Sequence, residues 1–174
     1  MTLFLNPIST RHALLSLHTA HHILLGSDEV LKPEGSMRME EAPRAVGEIA
    51  SFHAHIYFDP ASTRLVAERL QGWIAERFPV RLGRWHEVKL GPHDAAMYQV
   101  AFEPAVMAGL VSFLMLNHRG LSILIHPNTV NPRRDHLRDA LWIGERLLIH
   151  GDTLPEESPA DAAGVPNTEP TIPV

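Results

Sequence analysis

Eight residues, Phe52-His53-Ala54-His55-Ile56-Tyr57-Phe58-Asp59, constrain the fold of this 174-residue chain more than any other segment. Their polar and apolar side chains alternate with the period of a β-strand. Side chains i and i+2 of a strand share a face, so His53, His55 and Tyr57 project together while Ala54, Ile56 and Phe58 project the other way. The second set suits a core. The first places two imidazoles on one rigid surface, which is what a first-row metal site needs.

The segments that follow can be read as elements. Residues 61–77 form an amphipathic helix, with Val66, Leu70, Trp73 and Ile74 on one stripe, started by Asp59 or Ser62 and ended by Pro79. Residues 80–90 read as a strand, Gly91-Pro92 as a turn, and Met97 to Glu103 as another strand. Pro104 opens an apolar helix that closes near Gly120, and Leu121 to His126 is a buried strand ended by Pro127. Asp135 is expected to cap a third helix reaching about Arg146. The order predicts an α+β fold, a ferredoxin-like βαββαβ sandwich with an extra C-terminal helix. Its first and last strands are antiparallel neighbours, so His126 should lie beside His53. Helices cover one face of such a sheet. The histidine face then needs a cover from a partner, a loop or a ligand, and a homodimer is expected.

The flanks read differently. Residues 1–48 show no sustained periodicity and predict a poorly ordered leader, or an extension ahead of a start at Met37 or Met39. Residues 151–174 are acidic and proline-rich, without Lys or Arg, and predict a disordered tail. That leaves 49–150 as the folded domain.

Composition excludes several chemistries. With no cysteine, disulfides, thiolate nucleophiles, iron–sulfur clusters and cysteine-ligated zinc are ruled out. A net charge of −5 offers no basic footprint for nucleic acid. No apolar run approaches the ~18 residues of a membrane span, and no signal-peptide pattern opens the chain, so a cytoplasmic location is expected. Glycine-rich phosphate loops, Gly-X-Ser-X-Gly and His-Glu-X-X-His are all absent.

The unusual quantity is histidine, at twelve residues spread along the chain. Two strands supply His53, His55 and His126, so a three-histidine convergence is possible; the bland alternative is a solvated sheet face or a dimer seam. Arg84-Trp85-His86-Glu87 and Gly91-Pro92-His93-Asp94 form a second cluster. His86 and Glu87 are adjacent on a strand, so at most one of them faces the site. His93 sits in a turn, from which a side chain can swing over a cleft. Asp135-His136 is the third cluster, with Asp135 read as a helix cap and His136 able to stack, hydrogen-bond or touch a substrate.

In order along the chain, His53-Ala54-His55-Ile56-Tyr57-Phe58-Asp59, Gly83-Arg84-Trp85-His86-Glu87, Gly91-Pro92-His93, Tyr98-Gln99-Val100-Ala101-Phe102, Asn117-His118-Arg119-Gly120, Ile125-His126-Pro127, Asp135-His136 and Ala140-Leu141-Trp142-Ile143-Gly144 resemble the DOPA 4,5-dioxygenase family of small extradiol ring-cleaving enzymes. The resemblance implies non-haem Fe(II), a catechol such as L-DOPA or a related phenolic, and O2. It implies His53, His55 and His126 as ligands, with Glu87 as the carboxylate if one histidine is instead catalytic. It implies His93, then His136, as the acid/base group, and Arg84, Arg119 and Tyr57 as substrate contacts. Asp94 after His93, and the segment Asn128 to Pro132, depart from the family's usual loops, so the resemblance speaks to the chemistry rather than to one substrate. Two other readings are a dimeric ferredoxin-like module that binds metal or ligand without turnover, and a metal-independent oxygenase of the dimeric α+β barrel type.

Overall fold

The structure, a computed structural model, describes residues 42–174. The expected leader lies outside the described residues up to position 41; from position 42 the chain belongs to the compact unit that runs to Val174.

Strand β1 (Ser51–Tyr57) occupies the middle of a five-stranded antiparallel sheet, flanked by β3 (Met97–Phe102) and β4 (Ile123–Asn128). Beyond them lie β2 (Arg81–His86) on one edge and β5 (Leu141–Ile143) on the other, giving the order β2-β3-β1-β4-β5. The first four strands, with helices α1 (Arg64–Ala75) and α2 (Met107–Asn117), follow the ferredoxin-like order.

The alternation on β1 sorts the two faces as expected. Ala54, Ile56 and Phe58 enter the main core with Tyr98, Val100, Phe102, Ile123 and Ile125. Leu70 and Ile74 of α1, and Leu110 and Leu114 of α2, are fully buried against them. Each such side chain removes apolar surface from water at roughly 1.5–3 kcal/mol, which fixes both helices to this face. Of the expected α1 stripe, Val66 and Trp73 are only partly buried. The opposite face carries His53, His55, Tyr57, Leu124 and His126, with a small apolar cluster of Tyr57, Met97 and Leu124 against Trp142, Leu147 and Ile149.

Four expectations are corrected. The third helix does not run from Asp135 to Arg146. A short α3 (Pro132–Leu137) begins earlier, with the Asn131 side chain accepting from Arg134 N at 2.9 Å and Pro132 in the first turn. Residues 141–143 then form β5, where Trp142 pairs with Leu124 and completes the β4 edge. Gly144 ends that strand at φ +77, with Leu121 O only 2.6 Å from where a Cβ would stand. Asp135 is consequently not a cap. It is buried inside α3 and accepts from Thr129 N and Oγ1 at 2.8 and 2.7 Å, tying the helix to the end of β4.

The strand expected over 80–90 stops at His86 and contains a bulge between Leu82 and Trp85.

The tail is not a disordered strand of residues 151–174 but a strap along the β2 edge. Asn167 N donates to Val80 O, its side chain exchanges hydrogen bonds with Leu82 N and O, and Thr168 Oγ1 bonds Val80 N. Thr171 N and Ile172 N donate to Glu76 O at the end of α1. An edge strand and a helix C-terminus both expose unpaired backbone groups, and the strap satisfies them without needing apolar residues of its own. β5, the turn around His93 and the strap all pack on the histidine face from within the chain.

Candidate metal centre

The register of β1 and β4 sets His53 directly opposite His126. His55, two residues on, turns to the same side and places Nε2 3.1 Å from His126 Nε2. Two further histidines arrive from outside the sheet. His93 is held in the Leu90–His93 turn, where Gly91 adopts φ +58 and the backbone pairs at both ends. The side chain is therefore fixed rather than swinging: it is buried, with its ring 4.2 Å from that of His55. His136, on α3, lies with its ring 3.7 Å from that of His126.

Five imidazoles thus surround one point in the sheet face. Among the described residues they form two overlapping sets, His53/His55/His126 and His55/His93/His136, whose nitrogens lie within 4.8 Å of one another. His55 belongs to both sets.

The protonation of the cluster follows from its burial. Desolvation is the main force lowering all five pKa values, and neighbouring imidazoles add repulsion at His53, His55, His93 and His126. His53 and His93 are lowered to about 4, and His55 and His126 are pushed well below 6.5. Asp161, in the strap, works against this at His53. At neutral pH the imidazoles are uncharged, the form that ligates metal. Backbone carbonyls fix two of the tautomers. His126 Nδ1 donates to Pro127 O and His136 Nδ1 donates to Pro132 O, each at 2.8 Å, which leaves Nε2 as the unprotonated nitrogen of both rings, that of His126 facing His55 Nε2 at 3.1 Å. His55 Nδ1 is buried without a hydrogen-bond partner among the described residues. An orphaned nitrogen beside unprotonated Nε2 atoms in one buried cluster fits a metal ion, and the donor set suits zinc, iron, copper or nickel alike.

These shifts carry a pH prediction. Between about pH 6.5 and 4 the unfolded chain binds protons that the folded cluster excludes, so the stability of the metal-free protein is full above 6.5 and falls as pH drops through this window. Each histidine adds up to ~1.4 kcal/mol per pH unit to that slope. Thermal melts of chelated protein from pH 7.5 to 4 should show a steep loss of melting temperature; a flat profile would mean the imidazoles are not held neutral.

The other expected site residues divide. Glu87 does not join the cluster: it pairs with Arg64 at the surface, and its strand neighbour His86 faces the site side instead. Arg119 lies over the Trp73 ring, on the helix side of the sheet. Tyr57 sits behind His93, with its hydroxyl 2.7 Å from His93 Nδ1 and its ring stacked on Trp142. Burial raises the Tyr57 pKa, so its hydroxyl stays protonated. Arg84 lines a cleft of about 680 Å³ that opens beside His53.

The walls of that cleft include Arg81, Gln99, Asp161 and Asn167, none of which was read as functional. Gln99 was findable, being the residue of β3 that pairs with His55. Asp161 and Asn167 had no local signal.

The chain is similar to known proteins over the segment that carries these histidines. Residues 52–153 match the model of the Dopa 4,5-dioxygenase family. A 21.2 kDa protein without assigned function from Botryotinia fuckeliana is 32% identical over 137 residues, covering 72% of this chain and 74% of that one. A DOPA 4,5-dioxygenase from Amanita muscaria is 30% identical over 136 residues, covering 70% of this chain and 60% of that one. A crystal structure of a candidate dioxygenase from Nostoc punctiforme PCC 73102 is similar at a TM-score of 0.62 and 45% identity, covering 64% of this chain and 96% of that one. No helix among the described residues is long and apolar enough to cross a membrane.

Proposed function

This chain belongs to the Dopa 4,5-dioxygenase family, and we propose that it is a non-haem Fe(II)-dependent extradiol dioxygenase that cleaves the ring of a catechol with O2. The observation that carries the proposal is the buried cluster of neutral imidazoles opening at His53 into a cleft large enough for a substituted ring. Fe(II) is the metal the family implies, and the nitrogen donors accommodate it.

His53, His55 and His126 would hold the iron, since two adjacent strands position all three rigidly and His53 faces the cleft. Bound there, iron supplies the electron path between a catechol and O2 that protein side chains lack. The residues do the rest. The Tyr57 hydroxyl holds His93 at Nδ1, and in the tautomer protonated there His93 would present Nε2 as a lone pair that takes a catechol proton and later returns it. Its lowered pKa keeps it in the accepting form at neutral pH. His136, fixed by its bond to Pro132 O, offers a second lone pair from the other side. Met97 and Ala101 give the cleft an apolar wall for the ring.

Protein loaded with Fe(II) under anaerobic conditions should, on admission of air and a catechol, consume one O2 per ring and form a yellow semialdehyde. Iron bound without oxygen uptake across a panel of catechols would leave a metal-binding module. Turnover that survives chelation would point to a metal-independent oxygenase.

A further inference from the structure

Among the described residues the buried polar side chains fall into two groups. His55, His93 and His126 belong to the centre. Ser51, Asn128, Thr129 and Asp135 line no part of the cleft and belong to neither histidine set. Burying a polar group is costly unless it is hydrogen-bonded, and these four bond in two pairs that meet at consecutive residues. They trace a line from β1 to His136. Ser51 opens β1 on the face of His53 and His55, opposite Asn128, whose Nδ2 donates to Ser51 Oγ at 2.7 Å. Thr129 follows in the chain. Its N and Oγ1 donate to the two carboxylate oxygens of Asp135 at 2.8 and 2.7 Å, and its Oγ1 accepts from Asn131 N at 3.2 Å. The next residue after Asp135 is His136, with its ring 3.7 Å from that of His126 in β4.

The existence of α3 does not require this buried carboxylate. The helix already has the Asn131 cap and Pro132 in its first turn. Apolar contacts would hold it to the sheet without desolvating a charge. Directional bonds add a fixed placement, because a fully satisfied buried polar pair specifies one arrangement where apolar packing tolerates several. A helix of 6 residues has little stability of its own, so whatever ties it to β4 sets where its side chains stand. The bond from His136 Nδ1 to Pro132 O lies within α3. It orients the ring on the helix and leaves the helix to be placed by Asp135.

We propose that Asp135, clamped by Thr129, is a positioning residue of the centre: it fixes α3 on the end of β4 and thereby sets the His136 imidazole against His126. The proposal rests on the reading of His136 as a working member of the centre. Misplacing such a group by about 1 Å costs on the order of 10²-fold in rate, so a bond remote from the chemistry governs it.

The test is nuclear Overhauser contact between histidine rings in the metal-free full-length chain. His126 and His136 ring protons should be in contact in the parent and out of contact in Thr129→Val and Asp135→Ala. Asp135→Asn should keep the contact, since its carbonyl can accept from Thr129 N while its amide donates to Thr129 Oγ1. The contact of His53 with His126, set by strand pairing, should persist throughout. In the Fe(II)-loaded chain Thr129→Val should lower O2 uptake with L-DOPA about tenfold, and should add no loss in a His136→Gln background. If Asp135→Ala does not melt cooperatively, Thr129→Val and Asp135→Asn carry the result. A His126–His136 contact unmoved in Thr129→Val, whatever happens to its melting temperature, would reduce Asp135 to a stability anchor and overturn the inference. An equal further loss in His136→Gln would overturn it too, because the clamp would then act elsewhere. No O2 uptake by the iron-loaded parent would sink the dioxygenase reading alone, and the ring contacts would still decide the clamp.

Discussion

His55→Ala should yield a folded protein that no longer retains iron after gel filtration and consumes no measurable O2 with any catechol. His55 is the residue common to both histidine sets, so its loss dismantles the centre whichever set holds the metal. Removing a ligand should weaken metal binding by more than the ~10–100-fold typical of losing an outer-shell partner. The fold should survive. The substitution leaves a cavity, but it also removes a buried nitrogen without a partner, whose desolvation costs about 1–3 kcal/mol. These effects oppose one another, so the metal-free variant should melt cooperatively near the metal-free parent. Iron content measured beside a melting curve checks this, and unchanged iron content would remove His55 from the ligand set.

His93→Gln tests the other half of the centre. It should retain one iron per chain while kcat falls by about 10²–10⁴, the usual scale for losing a positioned proton acceptor. Tyr57→Phe should fall less, because it removes only the 2.7 Å partner of His93 Nδ1, and should shift the acid limb of the pH–rate profile. The pair of measurements separates the two histidine sets. If His93→Gln loses iron and His53→Ala keeps it, the metal sits among His55, His93 and His136 instead, and His53 becomes the group facing substrate.

Much of the sheet was legible because burial on one face writes a period of two into a strand. The β1 alternation assigned every side chain of residues 53–58 to its correct face, and the ferredoxin-like order brought His126 opposite His53. The third helix misled for a local reason: Asp135 to Arg146 has helical spacing, yet Leu141 to Ile143 had an open β4 edge to pair with. Pairing with a distant strand overrode the local pattern. Glu87 misled because adjacency to a motif says nothing about which charge will capture it, and Arg64 did.

The sequence by itself determined the sheet's two faces, the His53/His55 pair and membership of the family, since each rests on local periodicity or on motifs in fixed order. Tertiary structure decided the rest of the site. His93 and His136 come from a turn and a short helix, and only the packed chain brings their rings against His55 and His126. The strap was invisible because its bonds join residues some 85 positions apart and use backbone groups, which every residue carries alike. The His53, His55 and His126 cluster is therefore written in side chains near one another in sequence or paired across strands. The cleft beside it is walled by backbone meeting at long range.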